Sequence, residues 1–200
     1  MISLFFISLL GSMVPGASFV MTLRSSLFGS RFCGLMTALG LSLGMALHAA
    51  YLLPSLYWFE HNNSHLLSII TWLGAGYLFF IAVQCLQAKP KGQLSIGSNQ
   101  EKITPLRALL IGFLTDVLNP KIIIFILALL SQYIEGELTL HQQLSYGAVL
   151  VGVQLLWFSG VAIFFSIPSL RNKLYSASHW IERCSGVLLI LLAIKIIWIR

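Results

Sequence analysis

The chain has 200 residues, of which 58% are hydrophobic and only 9% charged. A soluble domain carries about 25% charged residues, so this composition excludes a water-soluble globule and indicates an integral membrane protein. The net charge of +6 would suggest nucleic acid in a soluble protein, but here the basic residues gather in particular loops and report topology. Several apolar runs are long enough to cross a core of ~30 Å as helices, which takes about 20 residues. The alternation that a β-barrel needs over ~10-residue strands is absent. An all-α integral membrane protein is expected, with residues 1–200 as a single membrane domain.

The first apolar segment is Ile2–Leu23. No Lys or Arg precedes Arg24, so it lacks the basic start of a signal peptide, and it is too long to be one. Pro15-Gly16 interrupts it. A short basic turn from Arg24 to Arg31 leads to a second span, Cys33–Trp58. Its Gly40 and Gly44 have the GxxxG spacing that suits close helix contact. Glu60–His65 reads as a polar loop and Leu66–Ala88 as the third span. Residues 89–105, rich in Gly, Ser, Gln and Lys, read as a flexible cytoplasmic linker between a first three-helix half (1–88) and a second (106–200).

The fourth span, Leu109–Ser131, holds Asp116, Asn119, Pro120 and Lys121 at its centre. Glu135–His141 is an acidic loop. Leu144–Ile167 is the fifth span, closed by Pro168, and Arg171 and Lys173 mark the next loop. Trp180–Ile199 is the sixth span, with Trp180 and Trp198 as interface anchors.

Lys and Arg occur in the first, third and fifth loops and are missing from the second and fourth. The positive-inside rule makes the basic loops cytoplasmic and puts both termini outside. Three spans per half force the second half to enter the membrane the other way up, so halves of like fold would form an inverted repeat. Pro15 lies roughly 20 Å along the first span and Pro120 roughly 18 Å along the fourth, at helical rise. Breaks at matching positions of two halves point to a binding site.

A charge at the bilayer centre costs ~2.5 kcal/mol or more and calls for a reason. Asp116 either couples transport to charge movement or pairs with Lys121 to fix the break. Asn119 either satisfies backbone groups freed by Pro120 or binds substrate. Lys121, too central to snorkel, pairs with an acid, a carbonyl or a substrate carboxylate. His48 is either a satisfied helix contact or a proton relay, with the former favoured. Gln84 and Gln154 suit interhelical hydrogen bonding. Cys33, Cys85 and Cys184 are isolated, so no disulfide framework or zinc site is expected. No Walker-type loop is present to bind a nucleotide.

These features resemble the LysE/RhtB-type amino-acid exporter family. Val14-Pro15-Gly16-Ala17-Ser18 is similar to its PGP signature. Gly29 and Gly34 leading to Gly40, Gly44 and His48 resemble its second span, and Gly74-Ala75-Gly76-Tyr77-Leu78 its third. Gly112 through Lys121, ending Asn119-Pro120-Lys121, is similar to its NPK block, and Gly186 after Arg183 also fits. The chain departs from the pattern at Ala17, where the signature has a second proline, and at Met45, where many relatives carry an acid. The resemblance implies a secondary exporter of amino acids or similar small metabolites, in a bacterial cytoplasmic membrane, driven by a proton gradient or the membrane potential. It implies a transport site of Pro15, Gly16, Ser18, His48, Asp116, Asn119, Pro120 and Lys121, with no catalytic residue, metal or other cofactor. Half-helix ends would offer N–H groups to a carboxylate and C=O groups to an ammonium, which suits a zwitterion. The partners expected are the small-molecule substrate and the lipid bilayer, with no nucleic acid, and a homodimer could shield so small a transporter. A metal-ion or other small-solute exporter or channel is the alternative, with a membrane-embedded enzyme third. Clustered metal ligands and a nucleophile with its base are both missing from the sequence.

Overall fold

A computed structural model describes residues 2–14, 16–62, 64–89, 103–130 and 138–167, together with 179, 180, 183–191, 193, 194 and 198 of the last segment. Seven helices are described: α1 (Ile2–Met13), α2 (Ala17–Phe28), α3 (Arg31–Asn62), α4 (Ser64–Leu86), α5 (Pro105–Val117), α6 (Pro120–Leu130) and α7 (Leu140–Phe165). Residues 183–191 are also helical, and no strand occurs among the described residues. An all-helical architecture follows from the solvent. In hydrocarbon every backbone N–H and C=O must find its partner within the segment, which helices achieve.

Among the described residues, two helices are by themselves long and apolar enough to cross a membrane, Arg31–Ser55 of α3 and Leu140–Phe165 of α7. Two further helix pairs are long and apolar enough only when each pair is taken together, and each is bent at a break. α1 and α2 meet at 66°, and α5 and α6 at 52°. Both breaks fall where the prolines stand in the sequence. The second is built by Pro120 at the first position of α6. A proline disfavours helical backbone in the residue before it, and Asn119 is non-helical. Thr104 opens α5 by accepting from Arg107 N at 3.4 Å, with Pro105 next to it. Thr139 and Gln142 form a capping box at the start of α7.

Two expected loops are shorter than the sequence suggested. α2 continues through Arg24 to Phe28 and leaves only Gly29-Ser30 before α3, in place of a turn from Arg24 to Arg31. The hydroxyls of Thr22 and Ser26 donate back to Ser18 O and Thr22 O, at 2.8 and 2.9 Å. They are thereby satisfied inside the helix instead of ending it. The polar loop expected at Glu60–His65 is also largely helical, because α3 runs to Asn62 and α4 starts at Ser64. Neither glycine nor proline is present there to stop it. Most of the linker, Pro15, Arg171, Lys173 and Lys195 lie outside the described residues.

α3 and α5 form the tightest crossing, and glycine makes it so. A methyl group on Gly40 would overlap the Leu109 carbonyl oxygen, and one on Gly112 the Thr37 carbonyl oxygen. Contact this close is what small residues permit between membrane helices. Thr37 Oγ1 bridges the pair by donating to Cys33 O (3.1 Å) or Ala108 O (3.2 Å). The opposite faces carry exposed leucines at four-residue spacing, Leu39, Leu43 and Leu47 on α3 and Leu106, Leu110 and Leu114 on α5. Such apolar stripes suit lipid, because soluble proteins rarely expose contiguous patches of this kind. Inside, one apolar cluster includes Leu4, Met45, Phe125, Ile126 and Leu150, and a second includes Phe19, Leu41, Phe158 and Phe165.

Candidate functional site

The two breaks meet. Lys121, in the first turn of α6, sends its Nζ to the Val14 carbonyl oxygen at the end of α1, 2.9 Å away. That carbonyl belongs to the last turn before the first break, where helix geometry leaves it without an intrahelical partner. Across the break, Gly16 starts α2 in extended backbone, and no side chain caps it. The first amides of α2, the positive end of its dipole, therefore stand open towards the break. A methyl group on Gly16 would lie 3.6 Å from Lys121 Nζ, so the ammonium sits over the start of α2. Two positive features, a lysine and a helix amino end, converge on one place.

The second break is closed differently. Asn119 Oδ1 accepts from Lys121 N at 3.1 Å and so caps α6. Of the two roles open to Asn119, backbone satisfaction is the one the geometry displays. At the end of α5, the Asp116 carbonyl accepts from Asn119 N at 3.0 Å and contacts His48 Nε2 at 3.2 Å. A carbonyl only accepts, so Nε2 carries the hydrogen and Nδ1 takes one from Tyr51 Oη, 2.7 Å away. His48, 1% exposed, is thus a satisfied tie between α3 and the end of α5.

Asp116 is fully buried. Its Oδ1 accepts from Gln154 Nε2 at 2.7 Å, while Oδ2 has no partner. The ion pair between Asp116 and Lys121, one of the two readings of the sequence, is not formed. Each residue binds another group, Gln154 and Val14. The carboxyl instead packs on Gly44, where a methyl group would come within 2.5 Å of Asp116 Cβ.

Between the breaks lies a small cavity of about 40 Å³. Gly16, Ser18, Asn119 and Lys121 line it, and so does Met45. Asp116, His48 and Pro120 do not. Asp116 stands behind Gln154, which lines the cavity itself.

Residues 9–199 match the family of LysE type translocators. The chain belongs to that family. A LysE type translocator is a transporter and not an enzyme, and this one is a multi-pass membrane protein. It is 27% identical over 194 residues to a threonine efflux protein of Salmonella typhi, covering 94% of each chain. It is 27% identical over 178 residues to the threonine efflux protein of Escherichia coli K12, covering 88% of this chain and 86% of that one. It is also similar to an uncharacterized membrane protein of Escherichia coli K12, YahN, at 24% identity, covering 92% and 82%. No solved structure matches it at significance.

Several wall residues of this LysE type translocator escaped the sequence reading. Ser8 and Ser12 of α1 line the cavity, and Ser8 Oγ is buried without a partner. Their four-residue spacing on an apolar helix was the available signal. In the sequence Gln154 reads only as an interhelical hydrogen-bonder, which it is, but its place at the cavity depends on where α7 packs. Phe125 of α6 closes over Gly11 of α1, with no room between ring and backbone for a methyl group.

Proposed function

We propose that the chain is a secondary exporter of small zwitterionic amino acids or closely related metabolites, with the substrate carboxylate held between Lys121 Nζ and the open amino end of α2. The observation that carries this reading is the reach of Lys121 across the two breaks to Val14, 2.9 Å, beside a helix start that no side chain caps. A carboxylate there would meet a full positive charge and free N–H donors together. Serine hydroxyls, Gly11 and Met45 on the remaining wall suit a small substrate. The threonine efflux proteins among its relatives support an amino acid as cargo.

Proton coupling is assigned to Asp116. Its Oδ1 is engaged by Gln154 and its Oδ2 is buried and unpartnered, so Oδ2 is the atom that would carry a proton during the cycle. Ionisable groups at membrane depth commonly serve such relays. The architecture proposed is six spans in two inverted halves with both termini outside, in a bacterial inner membrane. In support, Arg24 from the first half and Arg107 from the second line one small pocket, so the two stand on the same face of the bundle, as the positive-inside rule requires of cytoplasmic loops.

The test is efflux from cells loaded with single amino acids or dipeptides, comparing the wild-type chain with Lys121→Met at equal membrane abundance. Export that depends on the chain and on Lys121 supports the reading. If no loaded compound leaves faster with the wild-type chain than without it, the exporter reading fails.

A further inference from the structure

The cavity has an acceptor side as well as a positive one, and it lies on α7. Gln154 is 2% exposed. Its Nε2 donates to the Leu41 carbonyl oxygen at 2.9 Å and to Asp116 Oδ1 at 2.7 Å. A carboxamide has two N–H donors on nitrogen and only acceptor capacity on oxygen. Both neighbours are acceptors, so the nitrogen must face them, and both of its hydrogens are spent. The oxygen is left for the cavity that Gln154 lines. This orientation follows from the partners themselves, however the amide is drawn.

We infer that the Gln154 carboxamide oxygen is the subsite for the substrate's α-ammonium group, and that Asp116 is a positioning residue that fixes the amide for this task. The subsite rests on the amino-acid reading above and deepens it. The carboxylate binds on the Lys121 side, the ammonium on the Gln154 side, and a compound lacking the ammonium leaves a buried acceptor unpaired. Loss of a buried polar partner is the kind of mismatch that separates close analogues most sharply. Asp116 meets the substrate only through Gln154, since it does not line the cavity. Because Oδ1 accepts from Gln154 whether or not Oδ2 carries a proton, the subsite persists through the coupling step.

The full chain, reconstituted in liposomes, is tested by counterflow of L-threonine and of 3-hydroxybutanoate, the same skeleton without the ammonium. The wild-type protein is expected to favour threonine by roughly tenfold or more. Gln154→Met, similar in length but without the acceptor, is expected to weaken threonine roughly 10- to 100-fold and leave 3-hydroxybutanoate within about twofold. Gln154→Asn, which keeps the amide but draws it back by one methylene, provides the same contrast if the methionine variant does not insert. Asp116→Asn can still accept from Gln154 and should keep the ratio between the two compounds, whereas Asp116→Leu should lose it. Equal weakening of both compounds by the Gln154 variants, or an unchanged ratio, overturns the subsite while leaving the exporter reading intact. A wild-type protein that moves neither compound overturns the amino-acid reading and the subsite with it.

Discussion

Lys121 and Val14, 107 residues apart in the chain, are joined by a single hydrogen bond of 2.9 Å between Nζ and the carbonyl oxygen. The bond ties the start of α6 to the end of α1 and holds the ammonium beside the first turn of α2. The charged hydrogen bond that this ammonium would give a substrate carboxylate is worth about 1.5–3 kcal/mol, or roughly 10- to 150-fold in affinity. Lys121→Met should therefore raise the KM for exported amino acid by about that factor, with membrane insertion retained. Initial-rate efflux against internal concentration is the measurement. An unchanged KM would remove Lys121 from the carboxylate site.

Two glycines are predicted to give opposite outcomes. Gly44 faces Asp116, and a methyl group there meets Cβ at 2.5 Å and Oδ2 at 2.9 Å. Gly76 on α4 has nothing within 4 Å of the same position. Gly44→Ala should lower stability by about 1–3 kcal/mol through overpacking. Gly76→Ala should be neutral or raise it by up to about 1 kcal/mol, since alanine is the better helix former. Thermal unfolding of the purified variants in detergent compares them directly.

Asp116 should set how efflux responds to pH. The groups facing it are Gln154 on its carboxyl, His48 on its carbonyl and Gly44 against its Cβ. Asp116→Asn removes the proton site at Oδ2 but keeps an acceptor for Gln154. Transport driven by an imposed pH gradient should vanish in this variant, and exchange of substrate for substrate should persist. Proton uptake measured beside substrate flux in liposomes decides the matter. Wild-type pH dependence in the variant would place the coupling proton on another residue.

Met45 offers a change of selectivity. It is 6% exposed and lines the cavity with Lys121 and Gln154. Met45→Asp would add a negative charge beside the acceptor side of the site. Unpaired, that charge would be costly to bury, and a cationic substrate would relieve it. Competition in the efflux assay should shift towards lysine or arginine by about tenfold, a gain of ~1.4 kcal/mol.

Much of this was legible from the sequence, for identifiable reasons. Proline and glycine act locally, so Pro15-Gly16 and Pro120 marked both breaks. The charges of Asp116 and Lys121 stood out because hydrocarbon penalises charge. The partners of those charges were not legible, because Val14 and Gln154 reach them across 107 and 38 residues. A carbonyl has no residue-type signature at all, so the bond from Lys121 to Val14 could not be told from an ion pair with Asp116. Loop lengths were overestimated at Arg24–Arg31 and Glu60–His65, where polar residues continue a helix that needs a glycine or proline to stop it.

The Phe125 ring fills the notch that Gly11 leaves in α1 so fully that not even a methyl group could join it. The space remaining between the breaks is about 40 Å³, room for about three water molecules. That is less than an amino acid such as threonine occupies, so the loaded protein must be wider here than the empty one.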